Sequence, residues 1–209
     1  MATYLFDFDG TLVDSMDAYG GMMLRILDEN GMEYPENILK IITPLGYAGT
    51  ADYFIEMGIG KTKDELIATM NEYAVYNYHN VIVAKENVPE VLRALKARGD
   101  SLNVLTASPH SVLDACLERN GILELFDNVW SCDDFGTTKS DPNIYVMAAE
   151  RMGVPVSEVI FLDDNFNADV TAKKAGMVVY GVYDKSSDEY VDEMKAATDR
   201  YIYNFKELL

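Results

Sequence analysis

The chain has 209 residues, of which 49% are hydrophobic and 11% aromatic, and this composition is typical of a folded globular protein rather than a disordered one. A formal net charge of −18 argues against a nucleic-acid partner, because such a partner requires a basic surface. Two cysteines without CxxC spacing, no apolar run of membrane-spanning length and a strand beginning at Thr3 together predict a cytoplasmic protein without a signal peptide.

The first predicted element is the stretch TYLFDFDGTLVDS at the N-terminus. Tyr4, Leu5, Phe6 and Phe8 are typical of a buried strand, yet two aspartates interrupt this apolar run. Buried carboxylates are costly unless a cation or hydrogen bonds compensate them. The stretch therefore points to a site that holds positive charge.

Residues 15–81 have a helical pattern throughout, with breaks near ITPLGYAGT and MGIGKTKDE. In the second half of the chain, short apolar segments alternate with helical segments of about ten residues. The predicted strands there are LNVLT, NVWSC, EVIFL and MVVYGV, and the predicted helices are VPEVLRALKARG, SPHSVLDACLERNG, DPNIYVMAAERMG and NADVTAKKAG.

Alternation of strands and helices predicts βαβ units, and therefore a parallel sheet with helices on both faces, as in a Rossmann-like fold. The helical stretch after the first strand is too long for a single crossover. We therefore expect an α/β core domain formed by residues 1–14 and 82–209, with residues 15–81 inserted as a small all-helical domain.

Polar side chains cluster where the predicted strands end, which is where open α/β sheets bind ligands. The candidates are Asp7, Asp9, Thr106, Lys139, Asp163 and Asp164. Carboxylates brought this close repel one another, and Mg²⁺ prefers oxygen ligands. We therefore expect a magnesium site that also receives a phosphate group. An EF-hand calcium loop is excluded, because the sixth and twelfth positions counted from Asp7 are Leu12 and Ala18.

The motifs DFDGTLVDS from Asp7 onward, Thr106, Lys139 and Asp163-Asp164 resemble, in order, the four motifs of the haloacid dehalogenase superfamily. The chain is most similar to the group containing phosphoglycolate phosphatases and β-phosphoglucomutases. The helical insertion resembles the C1-type cap domain of that group.

This resemblance implies a role for each motif residue. Asp7 would be the nucleophile that forms an aspartyl-phosphate, and Asp9 would be the general acid and base. Thr106 and Lys139 would bind the phosphoryl group. The implied metal ligands are Asp7, the backbone carbonyl of Asp9, Asp164 directly and Asp163 through water or the second shell.

The resemblance implies a phosphatase that acts on a small phosphate ester, with no obligate protein partner evident. A phosphomutase on the same scaffold is the alternative. Relatives with mutase activity carry a histidine where this chain has Tyr19 and an arginine in the cap loop, which TPLGYAGT lacks. A non-catalytic binding module is a third hypothesis, disfavoured by the complete set of motif residues.

The predicted cap contains only four basic residues, against ten acidic ones; the basic residues are Arg25, Lys40, Lys61 and Lys63. A strongly anionic substrate requires positive charge around it. The composition therefore favours a substrate whose non-phosphate part is neutral or weakly anionic, such as a sugar or polyol.

Overall fold

The computed structural model describes residues 1–209, with the exception of the side chain of Pro44. The described chain divides into two compact units, one formed by residues 1–14 and 83–209 and the other by residues 15–82. We refer to them as the α/β unit and the helical unit.

The α/β unit is built on six parallel strands in the spatial order β3-β2-β1-β4-β5-β6. The strands are β1 (Thr3–Phe6), β2 (Ser101–Thr106), β3 (Asn128–Ser131), β4 (Val159–Asp163), β5 (Val178–Val182) and β6 (Arg200–Ile202). The predicted Rossmann-like α/β class is confirmed. Because all strands run in one direction, their carboxyl ends lie together at one end of the sheet.

The α-helices are, in chain order, α1 (Met16–Glu29), α2 (Ile38–Ile42), α3 (Gly46–Glu56), α4 (Lys63–Asn80), α5 (Val88–Ala97), α6 (His110–Arg119), α7 (Asn143–Met152), α8 (Phe166–Ala175) and α9 (Val191–Ala197). The first four belong to the helical unit and the others to the α/β unit. Among the helices that the structure describes, none is long and apolar enough to cross a bilayer.

The sheet buries side chains on both faces, as expected when parallel strands are covered by helices. Leu5 packs in a core with residues of α7 and α8, including Ile144 and Ala172. The next residue, Phe6, points to the opposite face and stacks on Phe205 with ring centroids 6.0 Å apart. The end of β1 is thus fixed from both sides, and the motif that follows it starts from a rigid position.

The helical unit has a hydrophobic core of its own. Its fully buried side chains come from α1, α2, α3 and α4, and they include Met23, Ile26, Leu27, Ile38, Ile42, Phe54, Leu66 and Met70. The N-terminus of α4 carries a capping box, in which the Thr62 side chain accepts a hydrogen bond from the Glu65 backbone N–H and Glu65 accepts one from the Thr62 backbone N–H. Residues 15–82 therefore form a packed unit, not a long loop.

Candidate active site

The predicted site residues lie at the carboxyl ends of three adjacent strands. Asp7 follows β1, Thr106 is the last residue of β2, and Asp163 is the last residue of β4 with Asp164 next to it. Lys139 lies in the segment between β3 and α7. The order of the strands, with β1 between β2 and β4, brings these separate segments to one place.

Asp7, Asp163 and Asp164 form a buried cluster of acids. Each offers one carboxylate oxygen, and these three oxygens lie within 4.8 Å of one another. The side chains are between 1% and 8% exposed, so water screens their mutual repulsion only weakly. We refer to these three residues as the acidic cluster.

Lys139 joins two members of the acidic cluster. Its ammonium donates to Oδ1 of Asp7 and, at 2.8 Å, to Oδ2 of Asp163. Burial alone would lower the pKa of Lys139, but the neighbouring carboxylates of Asp163 and Asp7 raise that pKa well above its usual range. Lys139 therefore remains charged and provides one positive charge for three carboxylates.

Burial and the excess of negative charge raise the pKa values of two carboxyl groups in the acidic cluster. Burial raises the pKa of Asp7 to about 8, although Lys139 opposes the shift. Burial and the nearby Asp163 and Asp7 raise the pKa of Asp164 well above its usual range. The acidic cluster thus has an excess of negative charge carried by oxygen atoms, and this is the donor set that suits a hard divalent cation such as Mg²⁺.

The loop after β1 is shaped to approach Asp164 closely. Gly10 has φ of +73°, a conformation that favours glycine, and a Cβ at this position would lie within 2.8 Å of Asp164 Oδ1. The neighbouring Thr11 is fully buried and donates from Oγ1 to the same Asp164 oxygen at 3.0 Å. Thr11 belongs to the DFDGTLVDS motif, but the sequence analysis assigned it no role, because the pattern does not show which side chain Thr11 contacts.

Asp9 lies outside the acidic cluster and has a different partner. Its Oδ2 accepts a hydrogen bond of 2.6 Å from the hydroxyl of Ser108. The Ser108 backbone N–H in turn donates to Oγ1 of Thr106 at 3.0 Å. Ser108 therefore connects the two predicted residues Asp9 and Thr106. Its position at the start of the predicted helix SPHSVLDACLERNG suggested a cap, but the helix begins at His110 and Pro109 occupies the cap position.

A fourth acid, Asp169, is buried in α8 close to this charge. It is 0% exposed, and neither carboxylate oxygen has a hydrogen-bond partner among the described residues. Burial, together with Asp163 and Asp164, raises the pKa of Asp169 well above its usual range. The protonated, neutral form is the one that this apolar position accommodates.

This burial predicts how Asp169→Asn changes stability. The folded-state pKa lies above the unfolded-state value, so ionisation of Asp169 costs folding free energy once the pH exceeds the unfolded-state pKa, by about 1.4 kcal/mol per pH unit up to the folded-state value. The asparagine variant is free of this cost. Its stability advantage over the wild type is expected to grow as the pH rises above the unfolded-state pKa, as measured by urea unfolding in EDTA. A difference independent of pH would contradict the assignment.

Known proteins resemble the chain in both sequence and fold. The model of the haloacid dehalogenase-like hydrolase family matches residues 1–176. The pyrophosphatase PpaX of Bacillus velezensis is 31% identical over 85% of this chain and 81% of its own length. The glyceraldehyde 3-phosphate phosphatase of Methanocaldococcus jannaschii is 31% identical over 90% of each chain.

The fold comparison agrees with the sequence comparison. A crystal structure from Thermotoga maritima, described as that of a candidate β-phosphoglucomutase, superposes with a TM-score of 0.85, covers 100% of this chain and 97% of its own, and is 23% identical. At this identity the likeness concerns the fold alone. With the family model matching most of its length, the chain is an enzyme of the haloacid dehalogenase-like hydrolase family.

Proposed function

We propose that the protein is a Mg²⁺-dependent phosphatase that hydrolyses a small phosphate monoester through an aspartyl-phosphate on Asp7. The coarser assignment, a phosphatase of the haloacid dehalogenase-like hydrolases, has the support of the family match and of relatives named as phosphatases. The observation that carries the finer proposal is the acidic cluster, in which one lysine faces three buried carboxylates.

The residues of the acidic cluster fit a magnesium ion. Asp7 and Asp164 would be direct ligands, Asp163 would act through water or the second shell, and the Asp9 backbone carbonyl would complete the protein's contribution. When bound, Mg²⁺ would neutralise the carboxylates and draw charge from the phosphoryl oxygens. Thr11 would hold Asp164 in place for this role through its hydrogen bond, and Gly10 leaves space for the Asp164 carboxylate.

In the proposed reaction an Asp7 carboxylate oxygen attacks phosphorus, and the ester P–O bond breaks. Asp9 donates a proton to the leaving oxygen, so the product alcohol departs neutral. Asp9 then removes a proton from water, the water oxygen attacks phosphorus, and the bond to Asp7 breaks to release inorganic phosphate. Ser108 orients Asp9 for both proton transfers, while Lys139 and Thr106 hold the transferred group.

For the non-phosphate part of the substrate, the helical unit is the proposed specificity element. Two of its four basic side chains are already paired within the unit: Arg25 bonds Glu29 at 2.8 Å, and Lys63 bonds Asp52 at 2.6 Å. The other two, Lys40 and Lys61, are outnumbered by the ten acidic side chains of the unit, so the unit has no excess of positive charge to attract a second anionic group. We therefore propose a neutral polyhydroxylated substrate, such as a sugar or polyol phosphate.

We expect phosphate release from p-nitrophenyl phosphate in Mg²⁺ and none in excess EDTA, with activity restored when Mg²⁺ is returned. Removal of the ion leaves the acidic cluster with uncompensated charge, so the reacting carboxylate is protonated or repels the anionic substrate. Turnover unchanged by EDTA would overturn the metal assignment. A panel of sugar phosphates, bisphosphates and phosphorylated dicarboxylates then tests the substrate class, and preference for the anionic members would contradict it.

Phosphomutase activity is the alternative that the same residues would support. The test is a β-hexose 1-phosphate supplied with catalytic amounts of the matching bisphosphate. A phosphatase yields free phosphate and free sugar, whereas a mutase yields the isomeric sugar phosphate. The relatives at 31% identity are named as phosphatases, which favours the first outcome.

A further inference from the structure

Lys85 is a second largely covered lysine near the carboxyl end of the sheet, and the proposed reaction does not use it. It lies in the segment that re-enters the α/β unit at Val83. Its ammonium is 2.7 Å from Oδ2 of Asp184, just after β5, and donates to the Tyr183 carbonyl at 2.9 Å. The two charged side chains are only 17% and 6% exposed.

The second carboxylate oxygen of Asp184 also accepts hydrogen bonds. Its Oδ1 accepts hydrogen bonds from the Ser186 backbone N–H at 2.8 Å and from the Ser186 hydroxyl at 2.6 Å. Burial raises the pKa of Asp184, but the hydrogen bonds from Lys85 and Ser186 outweigh burial and hold the pKa below its usual range. The carboxylate is therefore charged, and Lys85 is held by a fixed anion and a fixed carbonyl.

The backbone of the same segment holds the loop that follows β1. The Lys85 N–H donates to the Leu12 carbonyl at 3.0 Å, and the Asp14 N–H donates to the Val83 carbonyl at 2.9 Å. Thr11, the neighbour of Leu12, bonds the Asp164 carboxylate through its hydroxyl. A continuous path of contacts thus runs from Asp184 through Lys85, Leu12 and Thr11 to Asp164.

We propose that Lys85, held by Asp184, is a positioning residue that sets the orientation of the Asp164 carboxylate through the loop after β1. This inference rests on the proposed function, in which Asp164 is a metal ligand. The side chain of Lys85 is bonded to Asp184 and to the Tyr183 carbonyl. It thereby fixes the segment that begins at Val83 to the residues just after β5, and the Lys85 backbone N–H fixes Leu12 through a hydrogen bond.

Lys85 also has a charge effect on the acidic cluster, since its ammonium favours the charged form of Asp164 and the Asp184 carboxylate opposes it. Lys85→Met alone therefore changes both the charge near Asp164 and its positioning. Loss of positioning by itself weakens Mg²⁺ binding, because Asp164 samples other orientations. The double variant Lys85→Met/Asp184→Asn separates the two effects, since it removes both charges, keeps the net charge and leaves no unpaired ion.

The experiment measures Mg²⁺ affinity by isothermal titration calorimetry on the full chain, together with phosphate release as a function of Mg²⁺ concentration. Lys85→Met and the double variant are expected to raise the Mg²⁺ Kd about tenfold. At saturating Mg²⁺ their kcat is expected to return to the wild-type range, which a damaged fold would not allow. The matched control is Lys173→Met, which removes a half-exposed lysine paired with Asp199 away from the site residues.

If the double variant folds and binds Mg²⁺ with the wild-type Kd, or more tightly, the positioning role is wrong. If Lys85→Met does not fold because Asp184 is left unpaired, the Mg²⁺ Kd of the double variant alone tests the proposal. Failure of the proposed function looks different: wild-type turnover would then be independent of Mg²⁺, whatever the Lys85 variants do.

Discussion

Asp7→Asn is expected to reduce phosphate release from p-nitrophenyl phosphate by about 10³-fold or more, because an amide oxygen is a poor nucleophile towards phosphorus. The amide retains an oxygen that can accept from Lys139, so the geometry of the site is preserved. Burial raises the pKa of Asp7 to about 8, so at pH 7 folding of the wild type requires this carboxyl to take up a proton, and the uncharged amide is free of that cost. We therefore expect the variant to be at least as stable as the wild type at pH 7 in EDTA.

A loss of activity without a loss of stability would show that Asp7 is required for the reaction and not for folding. The matched control is Asp133→Asn, which makes the same change at an exposed aspartate in the turn after β3 and should retain full activity. Acid-quenched wild-type enzyme given a phosphate ester should carry acid-stable, hydroxylamine-labile phosphate, and Asp7→Asn should carry none. Substantial turnover by a folded Asp7→Asn protein would rule out the aspartyl-phosphate pathway.

The parallel sheet could be predicted from the sequence because local signals and global topology agree in this chain. The apolar strands are short and bounded by polar residues, and the helices between them carry the expected periodicity. β6 was missed, because a three-residue strand at the sheet edge with Arg200 at its start has no apolar pattern. The helical break predicted near ITPLGYAGT extends less far than expected, since α3 begins at Gly46 and includes Tyr47.

The site was predictable only in part, and the reason is physical. Asp7, Lys139, Asp163 and Asp164 follow strands or precede a capped helix, so topology alone brings them to one end of the sheet. The side chains that orient these residues cannot be matched with their partners from the sequence. Thr11, Ser108 and Lys85 each act on a partner between 99 and 153 residues away along the chain, and no spacing rule relates such pairs.

The second large effect is expected for Lys139→Met. Lys139 is the cation that Asp7 and Asp163 share, and it is only 14% exposed. Removing one partner of a buried ion pair leaves uncompensated charge and typically costs about 3–5 kcal/mol. In EDTA at pH 7 we expect destabilisation on this scale. Activity is expected to fall by about 10²-fold or more even in saturating Mg²⁺, because the charge that stabilises the transferred phosphoryl group is gone.

The pH dependence of this variant provides the sharper test. The folded-state pKa of Asp7 already lies above its unfolded-state value, so ionisation of this carboxyl opposes folding as the pH rises towards about 8. Without Lys139 the folded-state pKa rises further, and the loss of stability extends to higher pH. Urea unfolding in EDTA should show that the difference in stability between Lys139→Met and the wild type is nearly constant between pH 5 and pH 7 and widens above about pH 8, where the wild-type Asp7 is already ionised. Added Mg²⁺ should reduce the difference in stability between the two proteins, because the ion supplies positive charge to the same carboxylates.

The Lys173→Met control removes a lysine from a half-exposed pair and should show a small, nearly pH-independent change in stability. A difference in stability for Lys139→Met that does not widen above pH 8 would mean that Lys139 contributes packing rather than charge, and the assignment of its phosphate-binding role would fail with it.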